Sequence, residues 1–240
     1  MRIGIVQTRG MGDILIAAPI AAYWIALGHE VFWPIDAESL SAFSFALPRI
    51  RFLPVDKSAT GARTAEFFVE YPKKILAESG CERVHTLYSF LTGYDFGRGK
   101  LYESVSFDSY KYIVTDVPFL EKWNLDIRRN PIREAELFGR LGLSPDEAYV
   151  VCHERGTFFR HDFSEECRRR YPGLRIVKIE PVTDNFLDWL GILDCCSAFF
   201  SVNSVYLNLV DQLGLPCEKY VKFDAPAQWT PILGRKWTYV

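Results

Sequence analysis

The sequence predicts an α/β protein made of two halves, each a parallel sheet covered by helices. Three observations predict it. Short apolar runs of strand length alternate with longer segments whose apolar residues recur at helical spacing. Two strand-to-helix junctions carry small and polar residues, Gly10-Met11-Gly12-Asp13 and Asn203-Ser204, at the place where open parallel sheets present their ligand loops. The alternation stops at Ser144-Pro145-Asp146-Glu147 and then begins again.

The first strand is Ile3 to Val6, a continuous apolar run suited to burial on both faces. After Gly10 and Gly12 come Ile14, Leu15, Ala17, Ala18, Ala21, Ala22, Trp24 and Ile25, apolar nearly all round, as in a helix packed between two layers. Gly28-His29-Glu30 stops this helix and Val31 to Pro34 forms the second strand. A short helix over Asp36 to Phe45, a third strand at Ile50 to Leu53, a helix from Thr64 to Ser79 and a strand at Arg83 to Tyr88 follow. Ser89 to Tyr112 shows no clean period and reads as an active-site-facing loop or an irregular excursion, and Tyr88, Tyr94 and Tyr102 either line a sugar or base site or pack the loop onto the sheet.

Asn130 to Leu143 is an amphipathic helix with Pro131 in its first turn and Gly142 at its end. The break after it sets two domains, 1–144 and 145–240. In the second, strands at Ala148 to Cys152, Leu174 to Ile179, Ala198 to Val202 and Glu218 to Val221 alternate with helices at Ser164 to Tyr171, Asn185 to Cys195 and Ser204 to Leu213. Two Rossmann-like domains facing a cleft are the expected architecture.

With 240 residues, 49% apolar and 15% aromatic, the chain can bury a sizeable core. A net charge of −2 gives no general pull toward nucleic acid, so nucleic acid is not the default partner. No stretch approaches the roughly 20 apolar residues that span a bilayer, and the opening residues lack a signal-peptide layout. Peripheral membrane contact stays open. The six cysteines show no metal-type spacing and sit mostly in apolar runs, which points to a cytoplasmic, reducing location. No paired-carboxylate motif marks a divalent ion, so no metal is expected.

Gly10 and Gly12 allow backbone angles and close ligand approach that a Cβ resists, and the helix that follows offers unpaired amides. Asp13 is then either a helix cap or a reactive carboxylate. A dinucleotide loop would need a third glycine where Leu15 stands, and Asp36 only weakly matches the acid such a fold carries after its second strand. At the second junction Ser204 is either a cap or part of an anion site. Arg128, Arg129 and Arg133 could steer an anionic substrate, whereas Arg168, Arg169 and Arg170 read as a solvated helix face.

These residues carry a resemblance. Gly12-Asp13, Pro19 and Gly28-His29-Glu30-Val31 are similar to the opening of the heptosyltransferases, the family 9 glycosyltransferases of GT-B fold. Ser201 to Leu209 followed by Leu213-Gly214-Leu215-Pro216 resembles that family's donor-phosphate loop and helix, and His153 to Gly156 with Arg160 resembles the start of its second domain. The family reads Asp-Ser/Thr-Gly followed by a His, where this chain has Asn203, Ser204, Val205 and Asn208, and Arg160 stands for a lysine. The resemblance implies a metal-independent, inverting glycosyltransferase without a separate cofactor, moving a sugar from a nucleotide-sugar donor to an acceptor hydroxyl. Asp13 is its general base, beside the acceptor-side loop Gly10, Met11 and Gly12. Arg160, Glu180, Asn203, Ser204 and Asn208 bind the donor. The alternatives are a noncatalytic sugar- or nucleotide-binding relative and another Rossmann-like enzyme such as an epimerase.

Overall fold

The computed structural model of the chain describes residues 1–60, 65–88, 105–157, 159–226 and 229–240. Two compact units emerge: Met1–Arg128 with Pro226–Ile232, and Arg129–Ala225 with Leu233–Val240.

The first unit holds a four-stranded parallel sheet of β1 (Arg2–Val6), β2 (Glu30–Asp36), β3 (Arg51–Val55) and β4 (Arg83–Thr86), in the order β3-β2-β1-β4. Ile3, Ile5 and Val6 are fully buried, which is why the strand reads as an apolar run with no alternation. Between β1 and β2 runs α1 (Met11–Ala26), whose residues Ile14 through Ala21 are buried without interruption. Pro19 removes one hydrogen bond from the interior of that helix, and the Tyr112 hydroxyl donates to the nearby Ile16 carbonyl at 2.7 Å. The segment after β2 is a 3-10 turn followed by α2 (Leu40–Ala46). A π-helical turn, Glu66–Glu70, leads into α3 (Tyr71–Glu78) before β4.

The irregular stretch expected over Ser89 to Tyr112 is helical at its end, where Ser106 caps α4 (Phe107–Thr115). Tyr110, Lys111 and Tyr112 are buried there, so the mixed composition that hides the period is that of a buried helix with polar duties. Tyr94 and Tyr102 lie outside the described residues.

The second unit begins before the break at Ser144. Helix α5 (Pro131–Leu141), which the sequence places in the first half, packs on α7 (Leu190–Cys195), and a Cβ on Gly191 would come within 3.1 Å of the Phe138 ring. The chain therefore passes from one unit to the other at Arg128/Arg129, and it returns to the first unit over Pro226–Ile232, which the sequence did not signal. The second sheet is also wholly parallel: β5 (Tyr149–His153), β6 (Arg175–Lys178), β7 (Ala198–Val202), β8 (Glu218–Lys222) and β9 (Thr238–Tyr239), ordered β6-β5-β7-β8-β9. Helix α6 (Ser164–Arg170) precedes β6, and α8 (Val205–Leu213) follows β7. All five residues of β7 are buried.

The arginines read as a steering cluster are each engaged by neighbours within their own unit. Arg129 pairs with Glu134 and Asp194, Arg133 with Asp188 and Asp184, and Arg128 lies 4.0 Å from the Phe45 ring centroid. Their charge is spent on carboxylates and an aromatic face.

Candidate functional site

In a parallel sheet the ligand crevice lies beyond the strand carboxyl ends where the winding direction reverses. In the first unit that point is between β1 and β4. The residues leaving β1 are tied down on every side. Trp33 Nε1 donates to the Gln7 carbonyl at 3.0 Å, Asp36 N to the Thr8 carbonyl at 2.8 Å, and Thr8 Oγ1 to the Phe68 carbonyl at 3.2 Å. The Arg9 amide donates to the Tyr88 hydroxyl at 3.1 Å, so Tyr88 braces the loop. Burial raises the Tyr88 phenol far above its ordinary range, and it stays protonated.

Gly10 caps α1 without a side-chain bond, at φ 87°, and Asp13 is the third residue inside the helix. The side chain of Asp13 folds back over Gly10: a Cβ at that position would lie 2.5 Å from Asp13 Oδ2. Glycine is thus required twice, for the backbone angle and for room for the carboxylate. Asp13 Oδ1 meets Lys111 Nζ at 2.9 Å, with the lysine side chain 3% exposed and the aspartate 37%. Lys111 also donates to Gln7 Oε1 at 2.7 Å and to the Leu87 carbonyl at 3.3 Å. Met11 is exposed and Gly12 half-buried beside them.

In the second unit the reversal falls between β5 and β7. Ser204 caps α8, its Oγ accepting from Leu207 N at 3.3 Å and lying 3.2 Å from Ser201 Oγ. Asn203 is half-buried at the end of β7. Gly156, after β5, passes so close that a Cβ there would be 2.7 Å from the Asn203 carbonyl. An isolated antiparallel bridge pairs Arg155 with Arg160, and Arg160 is exposed. Glu180 is exposed after β6. Asn208 is 4% exposed: its Nδ2 donates to the Ser204 carbonyl at 2.9 Å, and its Oδ1 is buried without a partner. His153, at the tip of β5, lies tilted at 60° to the Tyr206 ring, 4.7 Å between centroids, with Nδ1 buried and unpaired. Desolvation pushes its pKa down to about 4, so the ring is neutral at physiological pH.

The structure therefore brings Gly10, Met11, Gly12 and Asp13 together at one reversal point. Ser204 and Asn203 lie together with Gly156 at the other. Lys111 and Gln7 were missed by sequence reasoning. A lysine between two tyrosines in a buried helix is the only local sign, and its partner is 98 residues away. Among the described residues no group of three or more His, Cys, Asp or Glu is arranged to hold a metal, and no helix is long and apolar enough to cross a membrane.

No protein-family model and no curated protein matches the sequence. Solved structures do match it. The family 9 glycosyl transferase from Veillonella parvula superposes with a TM-score of 0.64 at 11% identity, over 100% of this chain and 86% of that one. The E. coli ADP-heptose lps heptosyltransferase II gives 0.68 at 10% identity, over 100% and 90%. The E. coli heptosyltransferase WaaC with ADP-2-deoxy-2-fluoro heptose gives 0.55 at 15% identity, over 100% and 93%. The two parallel, helix-flanked sheets of this chain have the GT-B fold that these glycosyltransferases share.

Proposed function

We propose that the chain is a glycosyltransferase that moves a sugar from a nucleotide-sugar donor to an acceptor hydroxyl, with inversion and with Asp13 as general base. The observation that carries the reading is the Asp13 carboxylate, partly exposed and fixed by Lys111 at the reversal point of the first sheet. The solved neighbours support the donor class, since one of them holds ADP-2-deoxy-2-fluoro heptose.

In the step proposed, the acceptor oxygen bonds to the anomeric carbon from the face opposite the diphosphate. Its proton passes to Asp13, and the bond from the anomeric carbon to the diphosphate oxygen breaks. Base assistance of this kind is worth roughly two to four orders of magnitude in rate. The nucleoside diphosphate departs toward Arg160, whose guanidinium forks onto phosphate oxygens, and toward the Asn203-Ser204 loop and the first amides of α8. Glu180 is assigned to the donor nucleoside. Asn208 supports Ser204 through its bond to that carbonyl. The donor and the acceptor are the molecules this chemistry calls for, with no metal or cofactor assigned, and the disulfide-free cysteines support a cytoplasmic setting.

A second reading is favoured by one feature. Asn208 turns its amide inward to Ser204, and Val205 stands where a glycine would let a phosphate close in, which suits a binding relative without turnover. The experiment is thermal shift with ADP, UDP and GDP, followed by transfer assays on wild type and Asp13→Asn. The transferase reading expects a nucleotide-dependent rise in Tm in both proteins and transfer in wild type alone. Full transfer by Asp13→Asn overturns the base assignment, and binding without turnover by wild type establishes the second reading.

A further inference from the structure

Lys111 is a buried charge in the first unit that takes no step of its own in the reaction scheme above. It is 2% exposed, and a cation so placed is costly unless it is fully paired. Its ammonium donates to Gln7 Oε1, from the residue after β1, and to the Leu87 carbonyl after β4, and forms an ion pair with Asp13 Oδ1 from α1. The three partners come from the three segments that converge at the reversal point, so the lysine fixes their spacing from within.

We infer that Lys111 is the positioning residue of this site: its ammonium holds Oδ1 of Asp13 and leaves Oδ2 to take the acceptor proton. Oδ2 lies over Gly10, in the space that any side chain at that position would fill. A carboxylate inside the first turn of a helix can otherwise swing to cap the free amides, where its lone pairs are occupied. Lys111 pulls it off that course. The inference rests on Asp13 being the base.

The test is a double-mutant cycle on the full chain, with Lys111→Met, Asp13→Asn and the pair. Single-turnover release of nucleoside diphosphate is followed, in the presence of acceptor, from whichever ADP-, UDP- or GDP-sugar gives the largest thermal shift. Lys111→Met should lower the chemical rate by about 100-fold, the scale of loss when a reacting group is displaced by about 1 Å, while the donor Kd stays within about threefold. In the Asp13→Asn background the same substitution should cost nothing more, because a group that acts through Asp13 has nothing left to position. Gln7→Met provides the same readout with the ammonium retained, should Lys111→Met fail to fold, and about a 10-fold loss confined to the Asp13-containing protein is expected. If Asp13→Asn abolishes transfer while both Lys111→Met and Gln7→Met keep wild-type rates, or if the losses persist in the Asp13→Asn background, the positioning role is wrong and the functional reading stands. Full transfer by Asp13→Asn would instead overturn the functional reading, and this inference with it.

Discussion

Asp13 shows how far single residues can be read from a sequence. Its position in a glycine loop at a strand's end is legible, and so is the choice between cap and reactive acid. What the sequence does not show is the lysine 2.9 Å from it, supplied from a helix that lacks a clean apolar period. Gly10 reads as a turn residue, yet its second purpose, room for the carboxylate, exists only in three dimensions. His153 makes a prediction at this scale. Its native pKa of about 4 lies below the ordinary 6.5, so the unfolded chain binds the extra proton. The neutral ring's contribution is complete above about pH 6.5 and is lost as pH falls toward 4, amounting to about 3 kcal/mol. Urea melts across this range should show that slope in wild type and a shallower one in His153→Phe, which keeps a ring against Tyr206 but cannot titrate.

At the scale of elements, the parallel strands were legible because burial on both faces leaves apolar runs, as in Ile3 to Val6 and Ala198 to Phe200. Helix α4 was not, because Asp108, Lys111 and Thr115 are polar residues that point inward. The length of α5 was legible from Pro131 and Gly142, but its allegiance was not, since an apolar stripe of Leu137 and Phe138 does not say which neighbour it covers. The second loop is built on the cap of α8. Ser204→Ala should lower stability by about 1 kcal/mol in urea unfolding through loss of the bond to Leu207 N. Ser204→Gly, which keeps the cap's backbone freedom, should lose only a few tenths.

For the whole molecule, the break at Ser144 signals a division, but the chain changes units at Arg128/Arg129, at Ala225/Pro226 and at Ile232/Leu233. The first and last of these crossings are pinned on both sides. Arg128 N donates to the Ala46 carbonyl in the first unit, while Arg129 pairs with Glu134 in the second. At the return, Asp108 accepts from Ile232 N at 2.8 Å and pairs with the buried Lys122 at 2.7 Å. Two residues later Asp211 accepts from Gly234 N, Arg235 N and Trp237 Nε1. No sequence period reports such clamps, because most of their partners are more than 20 residues away. Asp108→Ala strands the Lys122 charge in the interior and should cost about 3–5 kcal/mol in chemical unfolding. Asp108→Ala with Lys122→Met should recover much of that loss.

The central claim is that the fixed carboxylate of Asp13 takes the acceptor's proton. The most direct measurement is single-turnover sugar transfer by Asp13→Asn with donor binding followed in the same samples. The account predicts an unchanged donor Kd with the transfer rate lowered by at least about 100-fold, the lower end of what a general base supplies. Transfer at the wild-type rate with the donor still bound would contradict it.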